Sequence, residues 1–369
     1  MNLKVLHLTT LQLLLLFAFA SADFLSYTLC GFYAIFYFFK YPFNRLNKRV
    51  AYWVIISFFT GLIFMPLNLS GDVFIIPKFL TGFFGLTLTL SMLGDKATVL
   101  ASARNTVFVY QVLVLCAIVY FGFNDFPRVS PLEKVFPGKS GNGITSYLIL
   151  IQTAYFFLHV QNSDSRKGSL LLSLIITFLI TLSTYARGSL ISAFLLLVTF
   201  YSLYSFSIRF WCILLVCVLM LSTLFYSDIE LFFLRYTKLS HGFSGDERVV
   251  AMNEYMDKLD IITFFTGADY HDTIINDKLN GNPHNSFIRG HHNFGIFYII
   301  NVLLLMFIPV SIERQRSKRL IYFVLSIILL FRMWTEPILS PTILDYFFYM
   351  IYFSLLTRSK KVYYETNMC

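Results

Sequence analysis

Of 369 residues, 57% are hydrophobic and only 13% are charged, against about 25% charged in an ordinary soluble domain, so the chain needs lipid to cover its apolar surface. The net charge of +9 does not signal nucleic acid, because the basic residues punctuate apolar runs and form no polar face interleaved with aromatics. The five cysteines (Cys30, Cys116, Cys212, Cys217 and Cys369) sit mostly inside apolar stretches without metal-ligand spacing, and read as small core residues rather than disulfide partners or ligands.

A bilayer core about 30 Å thick takes roughly 20 apolar helical residues. Suitable runs lie near 5–22, 24–39, 50–69, 74–94, 106–123, 144–161, 169–185, 189–206, 210–227, 293–311, 320–335 and 342–357. They predict an all-α polytopic membrane protein of about twelve spans, with residues 1–369 forming one integral membrane domain. The first run imitates a secretory signal, with Lys4 ahead of it and Ala20-Ser21-Ala22 as a cleavage site. Cleavage would make 24–39 the first span; retention makes it the second, and is preferred because so many spans follow. With the N-terminus in the cytoplasm, the inward segments hold 17 of the 29 lysines and arginines, and every one of those segments is basic. Both termini are therefore expected in the cytoplasm.

Two outward segments exceed a simple turn. Residues 124–143 are rich in proline and glycine and read as an irregular loop. Residues 228–292, between spans nine and ten, hold ten acidic residues and five of the seven histidines, and loops of that length are usually functional. Inside this loop DERVVAMNEYMDKLDIITFF predicts one amphipathic helix on the membrane surface, with Val249, Met252, Met256, Leu259 and Ile262 near helical spacing.

The sharpest chemical signal is GNPHNSFIRGHHNFGIF, residues 281–297. Asn282 as N-cap and Pro283 at the first helical position put His284 in the first turn of a helix. There the free N–H groups favour a phosphate, and the positive helix end favours a neutral imidazole that can accept a proton. An interfacial histidine capping a turn is the plain alternative. His291 and His292 follow two turns later, at least one on a face similar to that of His284. Asp269, His271 and Asp272 are near, but the spacing matches no zinc signature, and no metal or cofactor is expected.

Arg187, in LSTYARGSL, falls between two closely spaced runs at the outer boundary. A cation there is costly unless paired or facing a polar cavity, and its guanidinium fork suits phosphate oxygens; the alternative is snorkelling to lipid headgroups. Arg248 is a second phosphate contact or a partner of Asp246 or Glu247. Arg332 and Asp345 close the last hairpin and are expected to pair with each other. Asn285, Arg289, His291, His292 and Arg332 complete the expected substrate-binding set. Lys78, Arg128, Lys134 and Lys139 either steer an anionic lipid or are simply solvated.

The tight Ala186-Arg187-Gly188 turn, the large late loop with its Arg248-led segment, and PHNSFI ahead of GIF resemble the O-antigen polymerase and O-antigen ligase superfamily. The resemblance covers residues 140–311 by pattern and the whole chain by topology; the turn reads YARG where serine-arginine-glycine is commoner. It implies a GT-C-like fold in a bacterial inner membrane, and transfer of a glycan from undecaprenyl diphosphate on the periplasmic face without a cofactor. By the same resemblance Arg187 and Arg248 bind the diphosphate and His284 activates the acceptor hydroxyl. The implied partners are the undecaprenyl-diphosphate oligosaccharide, the bilayer and a polysaccharide chain-length regulator. The compact length and phenylalanine-rich spans favour a polymerase over a ligase that would hand the polymer to lipid A core. A flippase or transporter, the alternative of another class, would set polar groups near the bilayer midplane, whereas the ionisable residues here gather at the outer boundary.

Overall fold

Polar residues at the ends of the apolar runs decide where several helices begin. The side chains of Asn2, Asp23, Asp95 and Ser140 accept from the backbone N–H of Lys4, Ser26, Thr98 and Gly143, satisfying donors that the helix itself leaves open. The structure, a computed structural model, describes residues 2–42, 48–64, 75–90, 95–122, 131–134, 140–162, 167–184, 186–204, 247–339 and 341–357. All regular elements among them are helical: α1 (Leu3–Ser21), α2 (Phe24–Lys40), α3 (Lys48–Phe64), α4 (Ile75–Leu90), α5 (Lys96–Phe121), a 3-10 turn (Pro131–Lys134), α6 (Gly141–Gln161), α7 (Lys167–Ser183) and α8 (Arg187–Tyr204). After a gap come α9 (Glu247–Asp257), α10 (Ile261–Thr266), α11 (Ile274–Asp277), α12 (Ser286–Ser311), α13 (Arg316–Thr335) and α14 (Asp345–Leu356). The expected ninth span at 210–227, the loop residues 228–246, and Arg128 and Lys139 lie outside the described residues, as does the side chain of Lys78.

Five of these helices, α1, α5, α6, α8 and α12, are long and apolar enough to cross a membrane, and α2, α7 and part of α4 are shorter apolar helices. The protein is thus an all-helical membrane protein. Its outer surface agrees with that: Phe24 is 87% and Val119 82% exposed, acceptable against lipid and not against water.

At the centre stands α6, buried along nearly its whole length and packed by α5, α7, α8, α13 and α14. Its polar side chains are matched to neighbours. Gln152 donates to Ser173 at 3.1 Å and accepts from Thr177 at 3.2 Å, and Thr145 meets Ser189 at 2.9 Å. Hydrogen bonds of this kind link helices where the hydrophobic effect cannot.

Four expectations are corrected. First, α5 starts at Lys96, ten residues before the apolar run, so Lys96 and Arg104 are helical rather than loop residues. The cause is Asp95, which caps α5 and is held by Lys4 at 3.2 Å. Second, the single amphipathic helix is two, α9 and α10, because Asp260 and Thr263 form a reciprocal capping box between them. Third, α12 begins at Ser286, seven residues before its apolar run, with Asn285 as its cap. The stretch ahead of α14, residues 336–339 and 341–344, is non-helical yet almost wholly buried in the bundle. Fourth, of the two described cysteines, Cys30 is a core residue but Cys116 is exposed on α5.

Candidate functional site

The segment 247–283 is fastened onto the start of α12 by three residues of the HHNFG motif. His291 Nε2 donates to the Phe264 carbonyl at 2.8 Å, so its Nδ1 accepts from the Tyr255 hydroxyl at 2.7 Å. Burial pushes the Tyr255 hydroxyl pKa up, which keeps it a donor. His292 Nδ1 donates to the Ala268 carbonyl at 2.7 Å, and its ring stacks on Tyr270 with centroids 3.7 Å apart. Gly295 breaks the helix at φ +71°, and a Cβ there would lie 1.9 Å from the Phe265 carbonyl oxygen. Glycine is what allows α10 to lie directly on the kink.

This seam shapes a second region on the same end of the bundle, built around Glu336. Ser286, the first residue of α12, donates its hydroxyl to the Glu336 carbonyl at 2.8 Å and accepts from Leu339 N at 3.2 Å, pinning the chain where it turns back after α13. The Glu336 carboxylate is therefore fixed while its side chain stays 5% exposed. Its Oε1 accepts from Arg248 at 3.2 Å, and Arg248 also donates to the Thr335 carbonyl at 3.3 Å. Its Oε2 lies 3.9 Å from His284 Nδ1, a buried nitrogen that has no hydrogen-bond partner among the described residues. A polar cavity of about 310 Å³ opens beside this pair, lined by Tyr147, Lys278, His284, Arg289, Glu336 and the 337–338 backbone among others. Arg289 is held across it by a 2.9 Å bond to the Pro337 carbonyl. With Lys278 and Arg289 on its wall and Arg248 paired to its carboxylate, the cavity suits an anionic group.

Several expected residues stand elsewhere than the sequence suggested. His284 is not in the first turn of a helix. Its backbone has φ +49°, its N–H bonds Asn282 Oδ1 at 3.1 Å, and the helix starts two residues later with Asn285 as its N-cap. Asn285 accepts from the N–H groups of both Phe287 and Ile288, which commits its side chain to the cap. His291 and His292 are occupied in the seam. Arg332 does not pair with Asp345: its guanidinium bonds Ser146 and Thr335, while Asp345 accepts from Thr342 N at 3.0 Å. Arg187 is exposed at the start of α8 and has no hydrogen bond or ion pair to the described residues. Its neighbour explains the turn. A Cβ on Gly188 would lie 2.2 Å from Arg332 Nη1, so the glycine makes room for the buried guanidinium.

The structure thus brings His284 and Arg289 to one cavity with Arg248 paired to its carboxylate, leaves Arg332 and Arg187 off the cavity lining, and adds Glu336, Lys278 and Tyr147, which the sequence reading missed. Glu336 carried a signal, a carboxylate in the apolar run MWTEPIL between two helices, where a charge is costly unless used. Among the described residues no group of three histidine, cysteine, aspartate or glutamate side chains is placed to hold a metal. Comparison with protein-family models, with curated proteins and with solved structures finds no match to this chain.

Proposed function

We propose that this chain is a repeat-unit polymerase of the O-antigen type, a glycosyltransferase that moves a glycan from undecaprenyl diphosphate to a sugar hydroxyl of a second lipid-linked repeat. The proposal includes about twelve spans in a GT-C-like arrangement in a bacterial inner membrane, both termini in the cytoplasm, and the Glu336 cavity facing the periplasm. The observation that carries it is the cavity itself: a polar chamber at one end of an apolar bundle, lined by Lys278, Arg289, the His284 imidazole and a Glu336 carboxylate that Arg248 holds.

In this reading the acceptor hydroxyl oxygen attacks the anomeric carbon from the side opposite the diphosphate, giving inversion. As the new C–O bond forms, the bond from that carbon to the diphosphate oxygen breaks, and its electron pair leaves with the diphosphate. The hydroxyl proton passes to the His284 imidazole, a step that positioned bases accelerate by about 10²- to 10⁴-fold. Fixed cations around the cavity stabilise the charge that grows on the departing diphosphate. Arg187, exposed beside the turn that admits Arg332, is available to a lipid diphosphate before it enters. A chain-length regulator is the expected partner.

Deleting the gene from the parent strain and running its lipopolysaccharide on a gel tests the reading. Loss of the long-chain ladder with one repeat retained on lipid A core is expected, restored by the wild-type gene and not by His284→Ala. Loss of every attached repeat would make the chain a ligase instead, and a full ladder with both His284→Ala and Arg289→Ala would end the proposal.

A further inference from the structure

Glu336 serves two partners through two oxygens, and only one of them is satisfied. Oε1 holds Arg248 at 3.2 Å, whereas Oε2 stands 3.9 Å from His284 Nδ1, beyond the 2.7–3.2 Å of a hydrogen bond. The two sides differ in exposure. Glu336 is pinned at its own carbonyl and at the following turn by Ser286, and its side chain is 5% exposed; the Arg248 side chain is 36% exposed and rides on α9. An anion arriving from outside therefore meets Arg248 first and competes with Glu336 for its guanidinium, which a diphosphate does with more than one charge.

A buried carboxylate that loses its cation needs another donor. One stands 3.9 Å away: His284 Nδ1, itself buried and without a hydrogen-bond partner among the described residues. One closing movement of about 1 Å would satisfy both. We infer that Glu336 is a positioning residue shared between Arg248 and His284, so that a diphosphate which draws Arg248 away hands the carboxylate to His284 and orients the base only when donor is bound. With Nδ1–H given to Glu336, the lone pair is on Nε2, the nitrogen left to take the acceptor's proton. The inference rests on the reading of the cavity as a diphosphate-sugar site. The other charged or titratable groups that line the cavity are Tyr147 of α6, Lys278 of the linker after α11 and Arg289 of α12; Arg332 of α13 also acts on the Glu336 charge, but its guanidinium is bonded to Thr335 and Ser146, and none of these groups offers a carboxylate.

The test uses full-length protein in micelles, labelled with ¹⁵N in its histidine rings, with inorganic pyrophosphate as the probe and His284→Ala to assign the resonance. Pyrophosphate is expected to move neutral His284 toward the Nδ1–H tautomer and to raise its titration midpoint by about one pH unit more in wild type than in Glu336→Gln. Subtracting the variant removes the direct field of the anion. Equal rises in the two proteins would overturn the inference while leaving the diphosphate site standing; no response of His284 to pyrophosphate in any form would remove both. Arg248→Gln, which leaves Glu336 in place, is expected to show the Nδ1–H tautomer without pyrophosphate. An unchanged tautomer there also overturns the inference, whether or not Glu336→Gln folds.

Discussion

Replacing Gly295 by alanine puts a methyl carbon 1.9 Å from the Phe265 carbonyl oxygen, at a backbone φ of +71°. Two costs add. Holding alanine in the left-handed region costs about 1–2 kcal/mol, and the clash is with backbone, so α10 must lift off α12. Lifting it breaks the bonds from His291 to Phe264 and from His292 to Ala268, each contributing about 0.5–1.5 kcal/mol. The total is about 2–5 kcal/mol, or roughly 30- to 4,000-fold in the local opening equilibrium at 1.4 kcal/mol per decade. Hydrogen–deuterium exchange on solubilised protein reads this directly, since protected amides report the free energy of local opening. Faster exchange is expected through 261–268, with the α6 amides unchanged. If 261–268 exchanged at the wild-type rate in Gly295→Ala, the seam described above would not be what holds the segment.

His291→Ala strands the Tyr255 hydroxyl hydrogen and the Phe264 carbonyl, at about 1–3 kcal/mol for each unsatisfied group. A lowered thermal midpoint is expected by scanning calorimetry, whereas His284→Ala, whose Nδ1 has no bond to lose, leaves the midpoint unchanged while abolishing polymer. Asp260 caps α10, and the Thr263 backbone N–H, joined by the Thr263 hydroxyl, holds its carboxyl below the usual pKa. Its contribution is complete above the unfolded value of about 3.9 and is lost as pH falls through the lower folded value. Exchange of 261–266 should therefore accelerate below about pH 4, and Asp260→Asn, which still caps, should remove that pH dependence; an identical acid response in the variant counts against the cap.

The apolar runs were readable because a helix that meets lipid must be apolar over most of its length, and α1, α2, α6, α7 and α8 fall within about three residues of their runs. Polar or charged first turns hid the starts of α5, α12 and α13. Lys96 and Arg104 lower the hydropathy of α5 although Asp95 caps it. In NPHNS two asparagines compete for the cap; proline after Asn282 favoured the first, and the second wins because Asn285 reaches two N–H groups while His284 takes φ +49°. The break in the amphipathic segment was legible in Asp260 and Thr263, three residues apart. Glu336 could not be assigned a partner from sequence, because Arg248 lies 88 residues away and meets it only through the fold.

One consequence follows from the short final helix. At 1.5 Å per residue the 12 residues of α14 reach about 18 Å, short of the roughly 30 Å of a bilayer's hydrocarbon, and the stretch before it is buried without being helical. Backbone donors in that stretch turn to side chains instead of to a helix, Leu339 N to the Ser286 hydroxyl and Thr342 N to the Asp345 carboxylate, so this corner of the bundle is tied together by polar bonds that a regular helix would have made for itself.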